Sequence, residues 1–441
     1  MRLPVVLPWI SIVVGMGLTV GGTLVLLAGC AAPLGPAQRG EVLDALELAV
    51  RSRLYDPGNI HDSWLTPAQN LVQEPEVSPK TDRRLAVTID QCMRTLASHS
   101  HVHPPGKRGE RDLQIPFVTT EDGVSVLHRV RSKDGQTILP GDLLVGFADA
   151  REMRRQVEFL ADDRISLTVR ALCGEQRTLE WERSSSSKSD AVTSRTLPDG
   201  TLYVKIDSFT GFGPFDRGNF RVIRRHLLSA ADGGALLLDL RGNPGGGRSA
   251  MDTATLFFNG TKTFAFFLSR DYARDEQVGA TDGVRRVRPE LSLLPWITVG
   301  RLLTYLRVMK GRESFAIELT GEGTLSKTQV AVLIDEGTRS AAEMLASFLR
   351  EQCGAILIGR RSGGECAMPV RVDLPHGWYA HMAAMRLASG EGVPIEGRGL
   401  EPDILVKHSR ADLALGRDAD IEHAVAHLAQ ATPGKRSPNS N

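Results

Sequence analysis

Two short segments carry residue types suited to acyl-transfer chemistry. The first is Leu237-Leu238-Asp239-Leu240-Arg241-Gly242-Asn243-Pro244-Gly245-Gly246-Gly247, an apolar run that breaks into consecutive glycines. Glycines let backbone N–H groups face a ligand without side-chain obstruction. Such a turn can bind phosphate or a developing oxyanion, and it can equally be a bare structural turn. It is neither GxGxxG nor a Walker A loop, because no Lys-Ser/Thr follows the glycines.

The second segment is Val330-Ala331-Val332-Leu333-Ile334-Asp335-Glu336-Gly337-Thr338-Arg339-Ser340-Ala341-Ala342-Glu343. An apolar strand ends in a short turn, and Ser340 opens a helix. A hydroxyl there lies beside unpaired N–H groups and the positive end of the helix dipole. Those groups would stabilise charge developing on an attacked carbonyl. The plainer reading makes Ser340 an N-cap, the commonest job of a serine at a helix start.

The elements that must position these residues are legible in outline. From residue 199 apolar strands alternate with amphipathic helices: strand Leu202–Ile206, a helix with Phe220, Ile223 and Leu227 on one face, then strand Ala235–Leu240. Further on come strand Val330–Asp335, helix Ala341–Arg350 and strand Ala355–Gly359. Continuous apolar strands between helices imply a buried, largely parallel sheet, so the fold class is α/β. Before it, Asp112–Glu182 holds short β-rich runs. Within it Leu139-Pro140-Gly141-Asp142-Leu143-Leu144-Val145 resembles the turn-strand of PDZ domains, against the alternative of a generic β-turn. If Gln114-Ile115-Pro116-Phe117 is the carboxylate loop of such a unit, Pro116 deletes one N–H donor, and the unit positions substrate rather than capturing free C-termini tightly. Apolar spacing at Val42, Leu46, Val50 and Leu54, and again over Thr81–Leu96, predicts a small helical unit at the front. Between Arg270 and Thr328 a long insertion is expected, with a basic helix opened by Pro295 and running from Trp296 to Leu306.

Taken together and in order, three motifs resemble one family. Asp239 to Gly246 matches a "DLRGNPGG" signature, Gly337 to Glu343 a "TxSAAE" nucleophile turn, and Ile395 to Asp403 an "IEGxGxxPD" segment. These are the marks of the C-terminal processing, or tail-specific, serine peptidases and their tricorn-core-like relatives. The resemblance implies a crotonase-like ββα spiral core in which Ser340 is the nucleophile. It implies an oxyanion hole made by the N–H of Ala341 and one from Gly245 or Gly246. The implied layout is a signal peptide over 1–29, a tether over 30–40, the helical unit over 41–109 and the PDZ-like domain over 110–183. A Ser-rich linker over 184–198, the peptidase core over 199–412, and a C-terminal helix with a disordered tail over 413–441 complete it.

The general base is where this chain departs from the family. Processing peptidases of the bacterial type place a lysine in a turn that here reads Gly359-Arg360-Arg361-Ser362-Gly363-Gly364-Glu365-Cys366, with Glu365 at the lysine position. A serine hydroxyl still needs a base. Tricorn-like relatives use a Ser-His pair ahead of the PDZ domain and a terminal Glu. The resemblance therefore implies His99 as base, with Ser98 and Glu396 orienting and polarising it, which places this chain nearer that branch. His101 and His103 compete with His99, since imidazoles two apart on a strand share a face and can bind a metal. No acidic or cysteine partner sits nearby at a recognised spacing, so no metal and no cofactor are expected. His376 and His381 read as surface or sheet-face residues.

The first forty residues read as an address. Arg2 is the only charge before Arg39, and the apolar stretch between them ends in Leu27-Ala28-Gly29-Cys30, which resembles a bacterial lipobox. A transmembrane anchor is the alternative. Either way the body is expected outside the cytoplasm, facing the periplasm or cell exterior. A lipid anchor on Cys30 would hold it, and Ala31 points to an outer membrane if one is present. Lys+Arg 53 against Asp+Glu 52 removes any general electrostatic case for nucleic acid, leaving polypeptide substrates and the membrane as partners. Five cysteines are odd in number. With Cys30 assigned to lipid, an even set remains in an oxidising compartment, and Cys353 and Cys366, bracketing one strand, are expected to form a disulfide. A non-catalytic lipoprotein that binds peptides or hydrophobic ligands on the same scaffold is the competing function.

Overall fold

A computed structural model describes residues 33–75, 77–97, 99–105, 111–112, 115–131, 135–147, 149–150, 153, 164–182, 184–185, 191–209, 218–230, 234–270, 284–287 and 314–431. The lipobox, the helix expected after Pro295 and the tail Thr432–Asn441 lie outside them.

The central sheet runs Val192–Thr196, Leu202–Ile206, Ala235–Asp239, Gln329–Ile334, Ile356–Gly359, Ile404–Leu405. Only the first pair is antiparallel. Side chains alternate across it with period two. Leu236, Leu238, Val330, Val332 and Ile334 face one cluster with helices Phe220–Leu227, Arg248–Ala254 and Ala341–Cys353. Leu237, Ala331 and Leu333 face the opposite cluster, closed by Ala424 and Leu428 of helix Ala419–Ala431. With both faces covered, the central strands Ala235–Asp239 and Gln329–Ile334 must be apolar almost throughout. That is why these strands show in the sequence as unbroken runs.

A second sheet places His101–His103, Tyr379–Ser389, Asn259–Ser269, Phe315–Glu322 and Arg285–Val287 side by side, with Ala367–Asp373 paired on Tyr379–Ser389. Helix Ala341–Cys353 packs between the two sheets, where Phe348 meets Phe258 and Phe264 at ring centroids of 5.2 and 5.4 Å. Helices Pro36–Arg53, Thr66–Val72 and Pro79–Leu96 form a further cluster with Ala380 and Met382 of the second sheet and with Trp378 just before it. The sheet of Phe117–Thr120, Gly123–Val126, Leu143–Leu144, Arg164–Arg170 and Gln176–Glu182 encloses its own core. Arg410 fastens this unit to the main body by donating to the carbonyls of Gly141 (2.8 Å) and Arg170 (2.9 Å).

Three elements lie where the sequence reading had placed none. The first helix begins at Pro36, inside the expected tether, with Pro at its first position, where a missing N–H is tolerated. The Ser-rich linker ends early, because Val192–Thr196 pairs with Leu202–Ile206. The expected insertion before Thr328 contributes Phe315–Glu322, which pairs with Asn259–Ser269.

Candidate active site

The two sequence motifs meet at the carboxyl ends of neighbouring parallel strands, Ala235–Asp239 and Gln329–Ile334. Asp335 joins their turns, accepting the N–H of Gly242 (2.7 Å) and of Gly337 (2.9 Å). Thr338 Oγ1 donates to the Leu240 carbonyl at 2.9 Å, and Arg339 N–H to the Asn243 carbonyl at 2.9 Å. These crossed bonds hold the glycine turn over the start of helix Ala341–Cys353.

The contact needs glycine. A Cβ on Gly245 would stand 2.7 Å from Ser340 Cβ and 2.9 Å from the Ala341 nitrogen. At Gly246 (φ 140°) it would overlap the Phe209 carbonyl oxygen. Gly245 N–H is already donated to Asn243 Oδ1 at 2.8 Å. Of the two glycines expected to supply an oxyanion donor, Gly245 lies against Ser340 and Ala341 N–H but has its own N–H taken, which leaves the Gly246 N–H as the candidate donor.

Ser340 has φ 52° and ψ −122°. This is a left-handed conformation costing about 1–3 kcal/mol for a residue with a Cβ, and it lies far from the extended backbone of an ordinary N-cap. A sharp, strained strand-to-helix turn of this kind is what presents a nucleophilic hydroxyl. Ser340 N–H is shared between the Glu365 carbonyl (3.0 Å) and Glu343 Oε2 (2.9 Å).

His99 and Glu396 come to the same place. His99 follows helix Pro79–Leu96, and its backbone N–H points at Glu396 Oε1, 3.4 Å away. Cys366 N–H donates to Glu396 Oε2 at 2.6 Å, and the Cys366 thiol lies 3.6 Å from the Ser340 carbonyl. His99 Nδ1 is enclosed without a hydrogen-bond partner, and no bond joins the ring to Ser340 among the described residues. Burial holds the imidazole below its ordinary pKa. Glu365 opposes that shift, and the Arg339 and Arg94 guanidinium groups reinforce it. The result is an imidazole that stays neutral at physiological pH. Ser98 lies outside the described residues.

Glu365, which the resemblance sets at the lysine position, is buried and paired with Arg94 (3.5 Å) and Arg339 (3.2 Å). The sequence reading missed this clamp and missed Glu343, although a Glu three residues after a Ser at a helix start is itself a signal. His101 and His381 are register partners, and His103 stacks on Tyr379 at 4.6 Å, so these rings pack on one another. His376 lies 2.8 Å from Glu41 on the outer face.

The expected Cys353–Cys366 disulfide is not formed; both are free. Cys353 ends helix Ala341–Cys353, whereas Cys366 touches Ser340 at its start. Helical rise separates these ends by about 18 Å, far beyond disulfide reach. Ligand atoms of His408, Asp418 and Asp420 lie within 4.8 Å of one another. The space belongs to arginines: Arg241 reaches Asp418 (2.9 Å), Asp420 (2.8 Å) and Asp239 (2.7 Å), and Arg360 reaches Asp420 (2.9 Å).

Residues 200–406 match the model of Peptidase family S41. Carboxyl-terminal-processing peptidase 3, chloroplastic, of Arabidopsis thaliana is 26% identical over 221 residues, 49% of this chain and 34% of that protein. Carboxyl-terminal-processing peptidase 1, chloroplastic, of the same organism is 22% identical over 235 residues, 52% of this chain and 39% of that protein. The chain thus spans between about a third and two fifths of the length of these curated relatives. Among solved structures, mature CPAF aligns with TM-score 0.57 at 14% identity, covering 90% of this chain and 99% of that one. Photosystem II D1 C-terminal processing protease aligns with TM-score 0.50 at 17% identity, covering 87% and 98%. At these identities the likeness establishes the α/β fold of the core.

Proposed function

We propose that this chain, whose residues 200–406 match the model of Peptidase family S41, is a serine peptidase cleaving polypeptides through an acyl-enzyme at Ser340, with His99 as general base. The observation that carries this reading is the strained Ser340 turn packed against Gly245, with Ala341 N–H beside it. Ser340 Oγ attacks the scissile carbonyl while His99 takes its proton. The oxyanion is held at the helix start by the N–H groups of Ala341 and Gly246. His99 then protonates the leaving amine, and water, deprotonated by the same ring, releases the acyl group. Glu396, fixed on the His99 backbone, positions that segment, and Ser98 completes the pair implied by the resemblance.

Two relatives are named for processing carboxyl termini, which supports unfolded or tail-exposed polypeptides as substrates. We read the β-rich unit ahead of the core as PDZ-like, positioning substrate for cleavage. A lipid on Cys30 would tether the enzyme to the cell envelope, facing the periplasm or exterior. None of the described helices is long and apolar enough to cross a membrane. The test is fluorophosphonate labelling, which should modify the wild-type chain and not Ser340→Ala. Peptide retention without labelling at any pH from about 6 to 9, where an imidazole base works, would favour the binding lipoprotein instead.

A further inference from the structure

Glu343 lies in the first turn of the helix that Ser340 opens and is fully buried. Its carboxylate is met by donors from separate segments. Oε2 accepts Ser340 N–H at 2.9 Å, while Oε1 accepts the Ser362 hydroxyl at 2.5 Å and Gly364 N–H at 2.7 Å. Beyond them, Ser362 Oγ accepts Leu400 N–H at 2.6 Å, and the Gly364 carbonyl accepts Gly397 N–H at 2.7 Å. One carboxylate thereby joins the nucleophile, the turn carrying Glu365 and Cys366, and the segment carrying Glu396. It takes no part in the proton route described above.

We propose that Glu343 is the positioning residue of the nucleophile turn: by accepting from Ser340, Ser362 and Gly364 together, its carboxylate holds Ser340 in its left-handed backbone and the Glu396 segment in register with it. This rests on Ser340 being the nucleophile. Only a carboxylate accepts on both oxygens. An amide or a carboxylic acid turns one of them into a donor, and two of the three facing donors are backbone N–H groups that cannot rotate away.

The positioning form is thus the ionised one, and burial works against it. Desolvation pushes the Glu343 carboxyl up to about 7, opposed by the bonds from Ser362, Gly364 and Ser340 and reinforced by Glu365. The other charged or titratable groups facing this pocket are Cys366 on the same turn as Glu365, Glu396 on the next segment, and Arg339, which is occupied by Glu365. The arrangement should therefore loosen as pH falls through about 7.

The experiment measures the rate of fluorophosphonate labelling against pH on the full chain, with thermal melts at each pH. Wild type should show an acid limb near pH 7, above the limb expected of a lowered His99. Glu343→Gln should label about 100-fold more slowly, the scale of a misplaced nucleophile, and should lose the limb near 7 while its melt stays cooperative. Ser362→Ala removes a donor that favours the ionised form, so its limb should move to higher pH with the alkaline plateau kept. Wild-type rate and limb in Glu343→Gln, or an unmoved limb in Ser362→Ala, overturns the proposal. Should Glu343→Gln fail to fold, the Ser362→Ala limb decides alone. A wild type that never labels overturns the Ser340 reading and this inference with it, whereas wild-type labelling with unaffected variants overturns this inference only.

Discussion

Glu365 Oε2 and Arg339 Nη1 stand 3.2 Å apart, so the residue that the sequence resemblance sets at the lysine position grips the residue immediately before Ser340. Arg94 closes on the other carboxylate oxygen at 3.5 Å. A lysine here would face two guanidinium groups. Glu365→Lys should therefore create no serine–lysine dyad, and should destabilise the fold by about 3–5 kcal/mol by leaving buried charges uncompensated. Denaturant melts and fluorophosphonate labelling read both effects. A stable variant with activity rising at alkaline pH would contradict it.

The glycine turn predicts a separation of folding from activity. Gly245→Ala sets a methyl 2.7 Å from Ser340 Cβ, displacing the two turns by a few tenths of an ångström at the point of reaction. Labelling should fall about 10²–10³-fold, the loss expected when an oxyanion donor is misplaced. Circular dichroism should show the secondary structure retained. Wild-type labelling in this variant would mean that the turn does not form the hole.

Acid should weaken the folded state. Burial holds His99, His101 and His381 below their ordinary pKa, so the folded chain binds protons there less readily than the unfolded one. Stability is then lost as pH falls below about 6.5, at about 1.4 kcal/mol for each unit of lowering. Glu343 has the opposite sign. Its raised pKa of about 7 means that the folded state gains stability as pH falls from there toward the ordinary carboxyl value. The wild-type melting temperature should drop between pH 7.5 and 5.5, and more steeply in Glu343→Gln. A rising melting temperature over that range would refute the assignment.

Thiol accessibility follows from the absence of a bond between Cys353 and Cys366. Exposed Cys173 should alkylate first in the folded protein, with Cys353 slow because burial pushes its thiol up to about 11. Cys92 and Cys366, both buried, should react only after unfolding, and without any reductant. Mass spectrometry of the alkylated chain counts them. A pair requiring reduction would restore the disulfide.

The address is tested separately. Cys30→Ala should abolish incorporation of a radiolabelled fatty acid and release the protein from the membrane fraction. Unchanged incorporation would remove the lipid anchor while leaving the chemistry at Ser340 untouched.

What the sequence disclosed followed from how each element is buried. Leu202–Ile206 was legible residue for residue because all but Lys205 are buried in a covered sheet. Val192–Thr196, an edge strand with only its first residue buried, has no apolar period and read as linker. Ser340 and the glycine turn were legible because their work is done by backbone, which leaves glycine and serine as its trace. Glu365 was not, since Arg94 lies 271 residues away along the chain. The cysteines misled for a related reason. A short separation in sequence concealed a helix whose two ends they mark.

The arginines beneath the glycine turn have one more consequence, which concerns time. Arg241 belongs to the signature that forms the turn and meets Asp239 there, yet its other counter-charges, Asp418 and Asp420, come at the start of helix Ala419–Ala431, after every strand of the central sheet. A chain emerging from a ribosome or a translocation pore thus carries Ser340 and its glycines well before it can bury these guanidinium groups. If Ser340 is the nucleophile, its turn gains this support only once helix Ala419–Ala431 has docked.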